Sequence, residues 1–284
     1  MFLDFPKSCK LRLFLPDSLL ENETTLMLKT LKIGAIARIF CIFRINDILF
    51  YDNSGKTKDK KIIEDILNHL SIAPYLRKYF PMSPLLKFSG ILNPLQAPNH
   101  IGVKHEDVTY KEGIIKKTIF TSNSIKYDID IGMKKSEIIN ISTNCGNPLS
   151  EGEIVIVRIN NNGSKIFKLK GNNLFWKFHF SFLLESLSSF IEKNKKNDTF
   201  IIGTTRYGEK INNRQNIMEI KTALDTGKKV ELLFGPLKGS FKKYLIKGSD
   251  NVDIWINFVP DQGTVTVKLE EAILSTLSIL NTLQ

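Results

Sequence analysis

Three short stretches of this 284-residue chain combine glycine with polar and charged side chains. They are Ile202-Gly203-Thr204-Thr205-Arg206-Tyr207-Gly208, Phe234-Gly235-Pro236-Leu237-Lys238-Gly239 and Ile256-Asn257-Phe258-Val259-Pro260-Asp261-Gln262-Gly263. The last leads on to Glu270-Glu271-Ala272. Each begins where an apolar, strand-like run ends, and ligands of open α/β sheets bind beyond the carboxyl ends of the strands. Glycine lets the backbone come close to a ligand or take a positive φ. Turn chemistry accounts for any one of these loops alone; three at strand ends favour a shared ligand site. Glu270 and Glu271 fall in the first turn of a helix, where the macrodipole favours acidic groups by about 0.3–1 kcal/mol each. Two basic pairs stand apart from the loops: Arg77-Lys78, between Tyr75 and Tyr79, and Lys134-Lys135, after Gly132-Met133. Basic grooves with stacking aromatics bind single-stranded nucleic acid, although solvation explains a surface lysine pair equally well.

Other chemistries lack their residues. No glycine stretch ends in Gly-Lys-Ser/Thr, and neither Gly-x-Gly-x-x-Gly nor Gly-x-Ser-x-Gly occurs, which disfavours ATP hydrolysis, nicotinamide chemistry and serine hydrolysis. Cys9, Cys41 and Cys145 are odd in number and widely spaced, and the four histidines show no ligand spacing, so neither a disulfide framework nor a zinc site is expected. The composition, 42% hydrophobic with 19 Phe, is that of a folded chain. The longest apolar stretch, 33–43, contains Arg38 and is shorter than the roughly 20 residues a bilayer requires. The first residues carry Asp4 and Lys7 without an apolar core of signal-peptide length, so a cytoplasmic protein is expected. A net charge of +11 points to a polyanionic partner. That charge divides almost evenly, with net +4 over 1–82, +4 over 83–172 and +3 over 173–284. A basic surface must therefore be assembled by folding.

The elements that would position these residues come in two styles. Residues 11–15, 47–51, 199–204, 230–234 and 252–259 read as strands, the last apolar on both faces as interior parallel strands are. Between them lie helical patterns over 24–43 (Leu28, Leu31, Ala35, Ile39, Phe43), 58–70, a helix marked by Leu183, Leu187, Phe190 and Ile191, then 217–225 and 267–283. Alternating strands and helices predict a mostly parallel sheet with helices on both faces. Residues 82–100 hold too many prolines for regular structure, and 113–171 shows only short strands. Ile125, Tyr127, Ile129 and Ile131 alternate with polar residues, and Asn160-Asn161-Asn162-Gly163 marks a hairpin. Five or so short strands in about 60 residues fit a small barrel or sandwich, the OB-fold being the commonest barrel of that size. The domains expected are a discontinuous α/β domain, 1–82 and 173–284, and a barrel inserted at 83–172.

The chain resembles the SPOUT class of RNA methyltransferases, in the archaeal and eukaryotic branch with an inserted OB-fold barrel. The resemblance runs through Ala73-Pro74-Tyr75-Leu76-Arg77-Lys78, Leu92-Asn93-Pro94-Leu95 with Pro98 and His100, Glu112-Gly113, and Gly132-Met133-Lys134-Lys135. It continues through Ile202-Gly203-Thr204-Thr205, Phe234-Gly235 with Gly239, and Asn257 with Pro260, Gln262 and Gly263 before Glu270-Glu271-Ala272-Ile273-Leu274. What it implies, beyond anything periodicity shows, is a trefoil knot in the α/β domain and S-adenosyl-L-methionine as cofactor. The cofactor would be held by Gly203, Thr204, Thr205, Phe234, Gly235, Pro236, Gly239, Ile256, Asn257, Pro260, Gln262, Gly263 and Leu269. The resemblance further implies a homodimer whose sites are completed across the interface, and a ribosomal RNA substrate methylated at N3 of a uridine. Arg206 follows the 203–205 loop, where family members carry a functional arginine, and is the catalytic candidate; pairing with Glu209 is its structural alternative. Arg77, Lys78, Lys134, Lys135 and Lys268 are the RNA-binding candidates, and no metal is implied. Many relatives carry arginines between the Gln262-Gly263 and Glu270-Glu271 pairs, where this chain has Val265 and Lys268. A non-catalytic RNA-binding assembly factor and a nucleotide-binding regulatory protein are the alternatives the residues leave open.

Overall fold

A computed structural model describes residues 9–52, 59–122, 124–133, 137–142, 148–161, 163–167, 174–195, 198–236 and 251–283. The chain forms two compact units. One gathers 68–84 and 94–177, the other 8–67, 85–93 and 178–284.

The second unit is built on a parallel sheet. Its strands are β1 (Cys9–Pro16), β2 (Ile45–Tyr51), β9 (His179–Phe182), β10 (Thr199–Lys210), β11 (Lys229–Phe234) and β12 (Ile254–Asn257). Their order is β12-β10-β11-β1-β2-β9, and every neighbouring pair is parallel. All six carboxyl ends therefore lie along one edge. Phe14, Leu49, Tyr51, Ile201 and Leu233 form a core on one face together with Leu187 and Ile191 of helix α4 (Leu187–Asn194). Its other helices include α1 (Leu26–Ile42), α5 (Arg214–Asp225) and α6 (Leu269–Leu283).

Four expectations need correction. Strand β10 does not stop at Thr204 but continues to Lys210, so Gly203 to Gly208 is extended chain rather than a turn. Strand β12 lies at the end of the described sheet, not in its interior. Its second apolar face is explained instead by Trp255, which packs against the core cluster. Helix α4 starts at Leu187, where the Ser186 hydroxyl caps it by accepting the Ser189 N–H, while Leu183 still donates its N–H to Phe50 in extended chain. On α1 the apolar positions do not form one buried stripe: Leu28, Leu31 and Ala35 are exposed, while Ile33, Ile36, Ala37 and Phe40 are buried. The helix is apolar all round, so its spacing could not reveal which face is covered.

The first unit contains a curled antiparallel sheet. Strands β3 (Val103–His105), β4 (Val108–Phe120), β5 (Ser124–Asp130), β6 (Glu137–Ser142), β7 (Ile154–Asn160) and β8 (Gly163–Phe167) run β6-β5-β4-β7-β8, with β3 paired to β4. The alternation read over 125–131 places Ile125, Tyr127, Ile129 and Ile131 in its core with Ile115, Val155 and Val157. Asn160 pairs with Gly163 across the expected hairpin. Single helical turns at Pro84–Leu86, Ser89–Ile91 and Pro98–Ile101 occupy the proline-rich stretch, which is thus less irregular than its composition suggests.

Candidate functional site

Strand β10 pairs with β11 as far as Thr204 and Phe234, and with β12 at Thr204 and Ile256. It rejoins β12 only at Glu209, which shares Ile256 as its partner. Residues 205–208 therefore bulge out at the carboxyl edge of the sheet, as bulges beside active sites commonly do. Two glycines make this geometry possible. A Cβ on Gly203 would overlap the Trp255 ring, so the missing side chain is the space the indole occupies. At Gly208 a Cβ would stand 2.6 Å from the Trp255 carbonyl oxygen, and only glycine lets the returning chain lie so close to β12.

Side-chain hydrogen bonds hold the bulge. Asn257 donates from Nδ2 to the Arg206 carbonyl (3.1 Å), while its Oδ1 accepts the Val259 N–H (3.0 Å). Thr204 donates from Oγ1 to the Leu233 carbonyl (2.8 Å), and the buried Tyr51 hydroxyl donates to the Phe234 carbonyl (2.7 Å). The last bond fixes the end of β11 just before Gly235 and Pro236. The Arg206 guanidinium donates to the Val265 carbonyl (3.0 Å) and to the Tyr207 hydroxyl (2.7 Å), and lies 4.7 Å from the centroid of the Tyr207 ring. Gln262 donates to the carbonyls of Thr264 (2.8 Å) and Val265, which shapes the segment leading to α6. That helix is capped where the Glu271 carboxylate accepts the Lys268 N–H (2.8 Å). Glu270 faces the buried Lys32 ammonium (3.6 Å), which also pairs with Glu23 (3.2 Å). Both acidic residues of the first turn are thus committed to structure.

Bulge, β11 end and α6 enclose a cleft of about 730 Å³, a size typical of small-molecule sites. Of the proposed cofactor residues, Thr204, Thr205, Phe234, Gly235, Pro236, Ile256, Asn257, Gln262 and Leu269 line it, and so do Arg206 and Lys268. Gly203, Pro260 and Gly263 do not line it. Gly239 lies outside the described residues. Sequence reading gave no role to Tyr207, Phe258, Val259 or Ala272, although they lie in the stretches it singled out, and it passed over Asn22, Trp255, Thr266, Val267 and Thr276, which complete the wall. The α6 side could have been anticipated, since Thr276 follows Leu269 and Ala272 at helical spacing; nothing in the sequence ties Asn22 to the site. Among the described lining residues none is acidic and two, Arg206 and Lys268, are cationic.

The chain matches the family described as "Putative RNA methyltransferase" over residues 10–280. It belongs to this RNA methyltransferase family. Relatives carry the same indication. The chain is 28% identical to the human 28S rRNA (uridine-N(3))-methyltransferase over 311 residues, covering 94% of this chain and 76% of the human protein. It is 24% identical to the Drosophila melanogaster protein of the same name over 321 residues, covering 98% of this chain and 63% of the relative. A protein of Halobacterium salinarum without a described function is 25% identical over 281 residues, 93% of this chain and 96% of its own length.

In this family member the RNA-binding candidates of the first unit differ in how free their charges are. Lys78 pairs with Asp130 (2.7 Å), whose carboxylate also accepts the Tyr79 hydroxyl (2.7 Å) and the Gly132 N–H (2.8 Å). Burial pushes the Asp130 carboxyl up, but these partners outweigh it and hold it down to about 2. Arg77 is half-buried, its Nε has no hydrogen-bond partner among the described residues, and burial lowers its pKa. Lys134 and Lys135 lie outside the described residues. Nearby, Glu112 is buried and binds Lys177 (3.0 Å), Asn99 and the Ala73 N–H, which ties the strand β4 to the 73–79 segment. No helix among the described residues is long and apolar enough to cross a membrane.

Proposed function

We propose that this chain methylates N3 of a uridine in ribosomal RNA, using S-adenosyl-L-methionine bound in the 730 Å³ cleft at the carboxyl edge of the parallel sheet. That cleft carries the reading, because it unites all three glycine-containing stretches. Its chemistry suits the cofactor. Pro236, Ile256, Phe258 and Leu269 offer apolar walls for the adenine and thioether portions, while Thr204, Thr205, Asn257 and Gln262 offer polar groups beside them. Bound there, S-adenosylmethionine would supply an electrophilic methyl group, to be taken in line by the nucleophile as the sulfonium sulfur leaves as the thioether of S-adenosylhomocysteine.

What the protein's own residues do is orient and bias. The bulge is pinned by Asn257, so Arg206 and Tyr207 hold fixed positions at the mouth. Arg206 and Lys268 place positive charge in a wall that has no acidic group among its described residues. A cationic surround favours the anionic form of a bound uracil imide and so assists loss of its N3 proton. Arg206 is the residue we assign to substrate orientation, and its bonds to Val265 and Tyr207 replace the pairing with Glu209 as its structural role.

The reading extends to architecture. The discontinuous α/β domain (1–82, 173–284) would be a SPOUT knot and the insert (83–172) an OB-like barrel. Supporting the latter, the described antiparallel strands curl until β6 approaches β8. A homodimer is supported by the apolar surface left open on α1, where Leu28, Leu31 and Ile42 are exposed at helical spacing. RNA affinity should fall with salt, as phosphate contacts dictate. The test is transfer of tritium from labelled S-adenosylmethionine into ribosomal RNA, followed by nucleoside digestion. The expected product is 3-methyluridine. RNA binding without transfer would instead support the assembly factor, the reading that Val265 in place of an arginine favours.

A further inference from the structure

We infer that Tyr207 is the stacking platform for the target base, and that the cleft therefore admits a uridine only when it is unpaired and turned out of its helix. The inference rests on the methyltransferase reading. Tyr207 lines the cleft yet is 81% exposed, an unusual state for a large aromatic side chain. It is not loosely held. Its N–H donates to the Thr205 hydroxyl (3.3 Å), its own hydroxyl accepts from Arg206 (2.7 Å), and the Arg206 guanidinium lies near its ring at 4.7 Å from the centroid. Arg206 is in turn anchored to the Val265 carbonyl. One side of the ring is thus backed by a fixed cation and the rest is open to solvent.

A fixed, exposed aromatic ring beside cationic groups is what nucleobases stack on, and every base offers the π-face that such a ring accepts. Charge points the same way: Arg206 and Lys268 are the charged groups of the described wall, which suits a phosphate-bearing ligand. The reacting N3 atom of uracil lies on the edge used in Watson–Crick pairing. A base presenting N3 to the cleft has therefore given up its pairing partner, and enzymes acting on a base take it out of the stack. Loss of helical stacking would be replaced by stacking on Tyr207.

The experiment measures binding and turnover separately on the full chain. A fluorescein-labelled decauridylate is titrated by anisotropy without methyl donor, alone and annealed to decaadenylate, against wild type, Tyr207→Ala and Tyr207→Phe. Wild type should prefer the single strand. Tyr207→Ala should bind it about ten-fold more weakly, within the range that alanine substitution of stacking aromatics gives. Tyr207→Phe should bind nearly as wild type, and duplex binding should be equal in all three. In the tritium assay Tyr207→Ala should raise KM for RNA while S-adenosylmethionine affinity, measured by calorimetry, stays unchanged. Equal single-strand affinity of Tyr207→Ala and wild type, or no preference of wild type for the single strand, overturns the inference. So does dissociation of an oligomer by Tyr207→Ala, which would make the ring an interface residue. Absence of methyl transfer by wild type is a separate failure, that of the methyltransferase reading itself.

Discussion

Replacing Gly203 by alanine should weaken both the fold and the cleft, although an alanine would ordinarily favour a strand. Relieving the glycine's backbone entropy is worth about 0.5–1 kcal/mol in favour of alanine. Against this, the new methyl would overlap the six-membered ring of Trp255, which sits opposite it across the β10–β12 pair. Overpacking of this kind costs typically about 1–3 kcal/mol, so the net loss should be centred on about 1 kcal/mol and reach at most about 2.5 kcal/mol. Thermal melting should then fall by several degrees, at about 2–4 °C per kcal/mol for a domain of roughly 150–250 residues. Because Trp255 also lines the cleft, S-adenosylmethionine affinity should fall with stability, and the tryptophan emission should shift as the ring is displaced. The double variant Gly203→Ala/Trp255→Phe removes the outer ring and should recover most of the stability, which a double-mutant cycle quantifies. A single variant as stable as wild type, with unchanged cofactor affinity and emission, would falsify the placement of the indole over Gly203 and with it this wall of the cleft.

Three further outcomes follow from the same geometry. Arg206→Lys keeps the charge but loses the fork that holds Val265 and Tyr207; methyl transfer should drop at least ten-fold with cofactor affinity within two-fold, and equal turnover would count against its orienting role. Lys32→Met leaves Glu23 and Glu270 without their buried cation; stability should fall by about 1–3 kcal/mol in denaturant titrations, discounted from the fully buried case because both carboxylates are partly exposed, while Glu270→Gln should cost less. His100 is buried against the Leu70 carbonyl, and burial and then Arg77 push its pKa down to about 4. A depressed histidine is neutral in the fold, so protonation favours the unfolded chain: stability should fall as pH drops from about 6.5 towards 4, by at most about 3 kcal/mol, and His100→Gln should flatten that part of a pH–denaturation curve.

The α/β alternation of residues 9–70 and 179–283 was legible because apolar periodicity of two and of 3.6 residues survives in the sequence itself. The two-residue alternation of 125–131 and the Asn-Gly hairpin were equally plain, since side-chain direction in a strand is a local matter. The glycine-containing stretches announced the site for the same reason: glycine is needed where backbones approach. What each glycine makes room for was not legible. Gly203 and Gly208 accommodate Trp255 and its backbone, a partner about 50 residues away in the chain, and only strand order brings the two together. Likewise Glu270 and Glu271 look alike in sequence, yet one faces Lys32 of α1 and the other caps its own helix.

Residue types and their spacing by themselves singled out the three glycine-containing stretches that meet at one cleft, and determined that the chain alternates between two architectures. Tertiary structure alone decided which residues of those ends share a cleft, why β10 runs on past Thr204, and that Tyr207 stands exposed at the mouth. The reason is physical. Propensity and hydrophobic period are properties of neighbours along the chain, whereas this cleft is made by strand order and by the bulge of β10 beside β12.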